Sequence, residues 1–112
     1  MMICKPFEVV VVPFPFTDSA ETKRRKALVL SKPSFQVGSK TVVMAMITSV
    51  RGSTWPGDVE IAELGQAGLR KSCVARLKLF TLDETLILET VGTLAQKDQD
   101  AIRAAWSSLL AL

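Results

Sequence analysis

The chain has no histidine and no tyrosine among its 112 residues. Without histidine, Ser-His-Asp and Cys-His catalysis, histidine-ligated zinc and the two-histidine scheme for cutting RNA are all excluded. Any chemistry must therefore use arginine, lysine, carboxylates, hydroxyl groups and backbone amides.

Cysteine and long apolar runs are also scarce. The two cysteines, Cys4 and Cys73, are too few and too far apart for a metal site or a disulfide framework. No apolar run approaches the roughly 20 residues of a membrane span, and the N-terminus has no signal-peptide core. We therefore expect one cytoplasmic domain, residues 1–112, with free thiols and with Cys73 in the core.

Positive charge is clustered, whereas the carboxylates are scattered. The net charge is only +3, but cations concentrate at residues 23–26 (KRRK), at Arg70 and Lys71, and at Arg76 and Lys78. Such clusters favour a phosphate-bearing ligand such as RNA, although a solvated loop that protects a sheet edge is the alternative. No carboxylate pair has the spacing of a metal site, so we expect no metal and no other cofactor.

Apolar runs rich in β-branched residues predict six short strands, at residues 8–13, 27–31, 41–50, 58–61, 72–82 and 85–93. Residues 34–39 predict a turn, and residues 64–69 predict a helical turn or a tight connector. From Gln96 onward, apolar residues recur at helical spacing. Many short strands followed by one helix predict a mainly β fold, a small curved barrel with a C-terminal α-helix.

Candidate site residues stand at the ends of predicted strands. Arg25 and Lys26 come directly before the run ALVL, so the sheet should hold their backbone, and arginine can bind a phosphate through two hydrogen bonds. Thr48 and Ser49 end the run VVMAMI and are followed by Arg51. This hydroxyl pair could bind a phosphate, or it could only cap a turn.

The strand at residues 72–82 offers a second constellation. Its alternation places Arg76, Lys78 and Phe80 on a half-solvated face, opposite a face with Leu77 and Leu79. The first face either forms a groove that follows an RNA backbone or is ordinary solvent-facing alternation. Trp55, in a polar loop, either stacks on a base or covers the mouth of the barrel.

Several segments together resemble the PemK/MazF family, the toxins of type II toxin–antitoxin pairs. In chain order they are PFPFTD, KRRKALVLS, AMITS, DVEI, AGLRKSCVARLKLFTLD and VGTL, followed by the terminal helix. They cover nearly the whole chain, and their combination is more specific than any one of them. The resemblance implies an SH3-like barrel, a homodimer, and a proteinaceous antitoxin that blocks the RNA groove.

The resemblance also implies an mRNA interferase, a metal-independent endoribonuclease that cuts single-stranded RNA at short sequences by attack of the 2′-hydroxyl. It implies Arg25 and Thr48 as the catalytic residues. We expect RNA contacts from Ser19, Lys23, Arg24, Lys26, Ser49, Arg51, Arg76 and Lys78. For the general base, the sequence leaves Asp18, Glu21 and Glu8 as unranked candidates.

Two positions depart from the family pattern. The first strand of the family usually starts with Gly-Asp, where this chain has Phe7 and Glu8, and the catalytic arginine is usually followed by proline, where this chain has Lys26. Phe7 could narrow the substrate groove, and Lys26 could loosen the placement of Arg25. The alternative function is therefore a catalytically weakened member that binds RNA or an antitoxin without cutting.

Overall fold

A computed structural model describes residues 2–15, 23–50 and 54–112. Its main feature is an antiparallel sheet of six strands. The strands are β1 (Glu8–Phe14), β2 (Lys23–Val29), β3 (Thr41–Ser49), β4 (Val59–Glu60), β5 (Cys73–Asp83) and β6 (Glu89–Thr93). The helices are α1 (Pro33–Ser39), α2 (Leu64–Ala67) and α3 (Gln96–Ser107), with a 3₁₀ turn at Glu84–Leu86. None of the helices in these described ranges is long and apolar enough to cross a membrane.

The sheet is curled into a half-barrel. Its strand order is β4-β5-β3-β2-β1-β6. The pairing shifts between Val9 and Val10 in β1, and between Ala45 and Met46 in β3. Such irregularities bend a strand and increase its twist, so they help the sheet to curl. The predicted mainly β fold, a small SH3-like barrel with a C-terminal α-helix, is confirmed.

Two glycines allow the segment after α2 to lie directly on β6. A Cβ atom on Gly68 would overlap the carbonyl oxygen of Val91, and one on Gly92 would overlap the backbone of Ala67. Gly68 also has a φ of +73°, a conformation that glycine adopts without steric cost. This close backbone contact joins the β4–β5 connection to the far edge of the sheet.

Both faces of the sheet are buried. One cluster contains Val9 and Leu28 together with Ile102 and Trp106 of α3. The other contains Val10, Val12, Val29, Met44 and Leu82. Successive valines of β1 thus point to opposite faces, as the alternation of a strand requires.

Two side chains of α3, Asp98 and Trp106, hold the helix against the β4 end of the sheet through three hydrogen bonds. Asp98, which is only 2% exposed, accepts hydrogen bonds from the backbone N–H groups of Ala62 at 2.9 Å and Glu63 at 3.0 Å. The Trp106 indole N–H donates to the Gly57 carbonyl oxygen at 2.7 Å. Asp98 therefore anchors the connection that leads into α2.

Some predicted element types and bounds are wrong. Residues 33–39 form a helix rather than a turn, and its buried Gln36 accepts a hydrogen bond from Cys4 N–H at 2.9 Å. Strand β2 begins at Lys23 rather than at Ala27, because β1 continues to Phe14 and pairs with the cationic residues. Residues 85–93 are divided, since a 3₁₀ turn precedes β6.

The predicted alternation along β5 is kept across a bulge that follows Arg76. Ala45 pairs with Leu79, but its neighbour Met46 pairs with Arg76, so two residues of β5 bulge out. Because two residues are inserted, the faces stay the same on both sides of the bulge. Ala75 and Leu77 pack in the cluster that contains α3, and Leu79 lines a groove beside α3, where it is 46% exposed. Phe80 and Leu82 pack in the other cluster. Pro13 lies inside β1 with a neighbouring strand on one side only, because the pairing with β6 stops at Val11.

Candidate phosphate-binding site

A pocket of about 340 Å³ opens where β2, β3 and the segment that enters β5 come together. It is lined by residues 24–26, 47–49 and 68–71 and by Cys73. Arg25 and Thr48, the two residues predicted to be catalytic, line this same pocket. Lys26, Arg24 and Ser49 line it as well.

Diverging strand ends create the pocket. Strands β2 and β3 pair antiparallel with Ala27 opposite Met46, and this ladder ends there. Two residues further along each strand, the same register brings Arg25 across from Thr48. Each strand is held by its other neighbour, since Arg25 pairs with Val12 and Thr48 pairs with Val74. The site therefore has fixed walls although its two strands have separated.

The charged side chains of the pocket are all cationic within the part of the chain that the structure describes. They are Arg24, Arg25, Lys26, Arg70 and Lys71. The ion pairs among the described residues are Arg76–Asp58, Lys97–Glu63 and Arg103–Asp100, so none of these five cations is neutralised by a described carboxylate. Unneutralised cations in a concave surface attract anions, and the arrangement suits phosphate.

The side chain of Arg25 also contacts an aromatic ring. Its guanidinium carbon lies 5.8 Å from the centroid of the Phe14 ring, within cation–π range. Phe14 is the last residue of β1. The two strands thus supply both the backbone position of Arg25 and a contact that limits its rotamers.

Cys73 is half-buried and lines the pocket rather than lying fully inside the core. Burial raises the pKa of its thiol above the ordinary value, although the positive charges of Lys26 and Lys71 act in the opposite direction. The net rise keeps the thiol protonated at neutral pH, and a protonated thiol is a poor nucleophile. Cys73 therefore contributes shape to the pocket and no reactive group.

Arg76 and Lys78 lie outside the pocket, in a second cluster around Trp55. Arg76 donates two hydrogen bonds to the Asp58 carboxylate, at 3.1 and 3.0 Å, and these raise the pKa of its guanidinium. The guanidinium carbon of Arg76 lies 5.6 Å from the centroid of the Trp55 ring, and the Nζ atom of Lys78 lies 5.8 Å from it. The Trp55 indole N–H donates to the Leu77 carbonyl oxygen at 3.1 Å.

The remaining predicted residues are divided between other places. Lys23 is exposed at the start of β2 and does not line the pocket. Ser19 and Arg51, and the base candidates Asp18 and Glu21, fall outside the described residues. Glu8 accepts a hydrogen bond from the backbone N–H of Lys5 at 2.6 Å and does not line the pocket.

Phe7 lies against α3 and does not line the cationic pocket, and its effect on the substrate groove stays a prediction. Its φ is +67°, a region that non-glycine residues seldom occupy. This backbone conformation gives a physical reason for the glycine in the family pattern. The Phe7 ring is held by burial and by Arg103, whose guanidinium carbon lies 4.7 Å from the ring centroid.

Sequence reasoning noticed Arg70 and Lys71 only as a charge cluster and did not assign them to the site. Their place in the pocket depends on the backbone contact of Gly68 with Val91, which joins segments far apart in the sequence. The signal that could have found them is the glycine immediately before a buried leucine and two cations, in the segment AGLRK.

Comparisons with known proteins identify the family. Residues 5–110 match the PemK-like, MazF-like toxins of type II toxin–antitoxin systems. The chain therefore belongs to this toxin family. No curated protein sequence gives a match.

Solved structures of low sequence identity share the fold. MazF from Deinococcus radiodurans is 23% identical, with all of both chains covered and a TM-score of 0.75. A MazE–MazF complex from the same organism is 22% identical, with 96% of each chain covered and a TM-score of 0.74. An endoribonuclease in complex with its cognate antitoxin, from Mycobacterial species, is 14% identical, with 96% of this chain and 93% of that chain covered and a TM-score of 0.71.

Proposed function

We propose that this toxin-family chain is a metal-independent endoribonuclease that cuts single-stranded RNA at short sequences. The observation that carries the proposal is the meeting of Arg25 and Thr48 in one cationic pocket. Family membership supports the same function.

The proposed reaction is an internal transfer at phosphorus. The RNA 2′-hydroxyl gives its proton to a base and attacks the adjacent phosphorus, so that a new O–P bond forms. The bond to the 5′-oxygen breaks, and this oxygen takes up a proton from an acid and leaves as a hydroxyl. The products are a 2′,3′-cyclic phosphate and a 5′-hydroxyl. Arg25 donates hydrogen bonds to the phosphoryl oxygens, where negative charge grows, and the Thr48 hydroxyl orients the phosphate.

The surrounding cations and hydroxyl groups bind the rest of the strand in this proposal. Arg24, Lys26 and Ser49 contact RNA from the pocket itself. Lys23 continues the cationic surface along β2. The Trp55 cluster, with Arg76 and Lys78, contacts RNA beyond the pocket, and Ser19 and Arg51 remain predicted contacts.

Incubation of the purified protein with a long RNA in EDTA tests the proposal. We expect discrete cuts whose downstream fragments carry 5′-hydroxyl ends, because the chemistry needs only groups of the protein. Intact RNA, together with binding that weakens steeply as salt rises, would instead identify a member that binds RNA without cutting.

A cognate antitoxin is the inferred protein partner. The structural neighbours include a MazE–MazF complex and an endoribonuclease bound to its cognate antitoxin, and the present chain has the same fold. We expect the antitoxin to be a small acidic protein, because it must compete with RNA for a cationic groove.

A homodimer is proposed from a second surface. An apolar groove of about 620 Å³ lies beside α3 and includes Phe7, Leu79, Ile102, Trp106 and Leu110. Leu79 and Leu110 are 46% and 37% exposed, and exposed apolar surface of this kind marks an interface. We propose that a second copy of the chain covers it.

Sedimentation velocity tests the dimer directly. We expect the wild-type protein to sediment as a dimer and Leu79→Asp to sediment as a folded monomer, because a buried unpaired carboxylate opposes association. Lys32→Gln, outside this groove, serves as the control. A wild-type protein that stays monomeric at high concentration would contradict the proposal.

A further inference from the structure

Arg70 and Lys71 are the charged residues of the pocket that have no individual role in the proposed reaction. Both are exposed, both line the pocket, and neither takes part in an ion pair among the described residues. Two cations at the entrance of a strand, with no carboxylate partner in the described part of the chain, repel each other, and a bound anion would offset that repulsion.

Their backbone is held firmly in place. Leu69, directly before them, is only 7% exposed, and Gly68 lies against the carbonyl of Val91. In the same connection, nearer to β4, Asp98 binds the N–H groups of Ala62 and Glu63. Cations on such an anchored segment are presented at a fixed position, which favours binding of a specific group over diffuse attraction.

The geometry separates these two cations from Arg25. In the sheet, β3 lies between β2 and β5, so Thr48 stands between Arg25 on one side and the segment entering β5 on the other. Paired strands lie about 4.8 Å apart, and β2 and β3 have separated here, so the backbones of the two outer walls are at least roughly 10 Å apart. A phosphate held by Arg25 against Thr48 therefore leaves room at the other wall, beside Arg70 and Lys71, for a second one.

The charges lead to the same conclusion. A phosphodiester carries one negative charge, whereas the pocket collects five cations. Arg25 and Lys26 on β2 are sufficient for one phosphate held against Thr48. A polynucleotide is the ligand that presents further phosphates at short, regular intervals.

We propose that Arg70 and Lys71 form a second phosphate subsite, which binds a phosphate neighbouring the one held by Arg25 and Thr48. The inference rests on the proposed function only in taking RNA as the ligand. The subsite contacts the backbone and not the bases, so it contributes affinity and register without sequence preference. It therefore acts on KM and leaves the chemical step unchanged.

The test measures binding and chemistry separately. The binding probe is a short, mixed-sequence single-stranded RNA with 2′-O-methyl groups throughout, which cannot undergo attack by a 2′-hydroxyl. We expect Arg70→Gln/Lys71→Gln to bind it about tenfold more weakly. The slope of log affinity against log salt should become shallower by about 0.7 for each phosphate that the variant no longer neutralises. On cleavable RNA, KM should rise and kcat should stay the same.

Two matched variants serve as controls. Lys5→Gln/Lys32→Gln removes the same charge from the opposite end of the β1–β2 hairpin, outside the pocket, and should leave the slope unchanged. Arg70→Lys/Lys71→Arg keeps both charges and should restore most of the affinity. Because both residues are exposed, thermal melting of all variants should match the wild type.

The result that overturns the subsite is a double variant that binds the probe with wild-type affinity and slope, or whose affinity falls no more than that of the Lys5→Gln/Lys32→Gln control. A wild-type protein that does not bind the probe overturns it as well. If the wild type never cuts RNA but the variant binds the probe more weakly, the subsite would be supported and the proposed catalysis refuted. If the wild type cuts RNA but the variant binds the probe as well as the wild type does, the proposed catalysis would be supported and the subsite refuted.

Discussion

Arg25→Ala should lower the rate of RNA cleavage by about 10²–10³-fold, because removing one preorganised hydrogen-bond donor from a developing oxyanion has an effect of that size. Expressed in cells, the variant should no longer arrest growth. The fold should be unaffected, since the Arg25 side chain is exposed and its strand is held by pairing between β1 and β2. Initial rates on a defined RNA, with melting temperatures measured in parallel, check the prediction.

Two neighbouring variants make the Arg25 experiment specific. Arg25→Lys keeps the charge but loses the paired hydrogen bonds of the guanidinium, so we expect only a partial recovery of rate. Arg24→Ala removes an adjacent exposed cation from the same pocket and should mainly raise KM. If Arg25→Ala cuts RNA at nearly the wild-type rate, Arg25 is not catalytic.

Thr48→Val should lower the cleavage rate by about 10²-fold, because it removes the hydroxyl and keeps the branched shape of the side chain. Thr48 is half-buried near the end of β3 and lines the pocket. The loss should appear in kcat, since the hydroxyl is proposed to orient the reacting phosphate. Single-turnover cleavage at saturating enzyme measures it.

Thr48→Ser is the matched control, because it restores the hydroxyl and should recover most of the rate. Ser49→Ala removes a hydroxyl one residue away and serves as a second comparison for Thr48→Val. A Thr48→Val enzyme with an unchanged single-turnover rate would limit Thr48 to a structural role at the strand end.

The lysine that replaces proline after Arg25 has a clear structural context. Lys26 pairs with Val11 inside the β1–β2 ladder, so the strand itself fixes the backbone that a proline would otherwise restrain. Its half-buried side chain adds a fifth cation to the pocket. The substitution is therefore compatible with an ordered Arg25, and it strengthens the attraction for phosphate.

The parts of the site that sequence reasoning found are those determined by local pattern. Arg25 and Thr48 border strongly apolar β runs, and strand ends are easily located from such runs. The family resemblance implied that the two residues act together, and the β2–β3 register brings them to one pocket. Their catalytic roles stay a prediction.

The parts that sequence reasoning missed depend on contacts between distant segments. Arg70 and Lys71 reach the pocket because Gly68 lies against β6, and no periodicity in the sequence encodes that contact. Leu79 lies on the predicted face but is exposed, because α3 does not fully cover that face, and no local pattern encodes how far the helix covers it. Phe7 lies away from the pocket because its left-handed backbone directs the ring to α3.

The chemical identity of the cut ends tests the central claim most directly. A short RNA with a mapped cut site is incubated with the protein in EDTA, beside the same RNA carrying a single 2′-deoxy substitution at that site, and the fragments are weighed by mass spectrometry. The account predicts a 2′,3′-cyclic phosphate and a 5′-hydroxyl from the first RNA and no cut in the second. A 5′-phosphate end, a requirement for added metal, or cleavage of the deoxy-substituted RNA would contradict it.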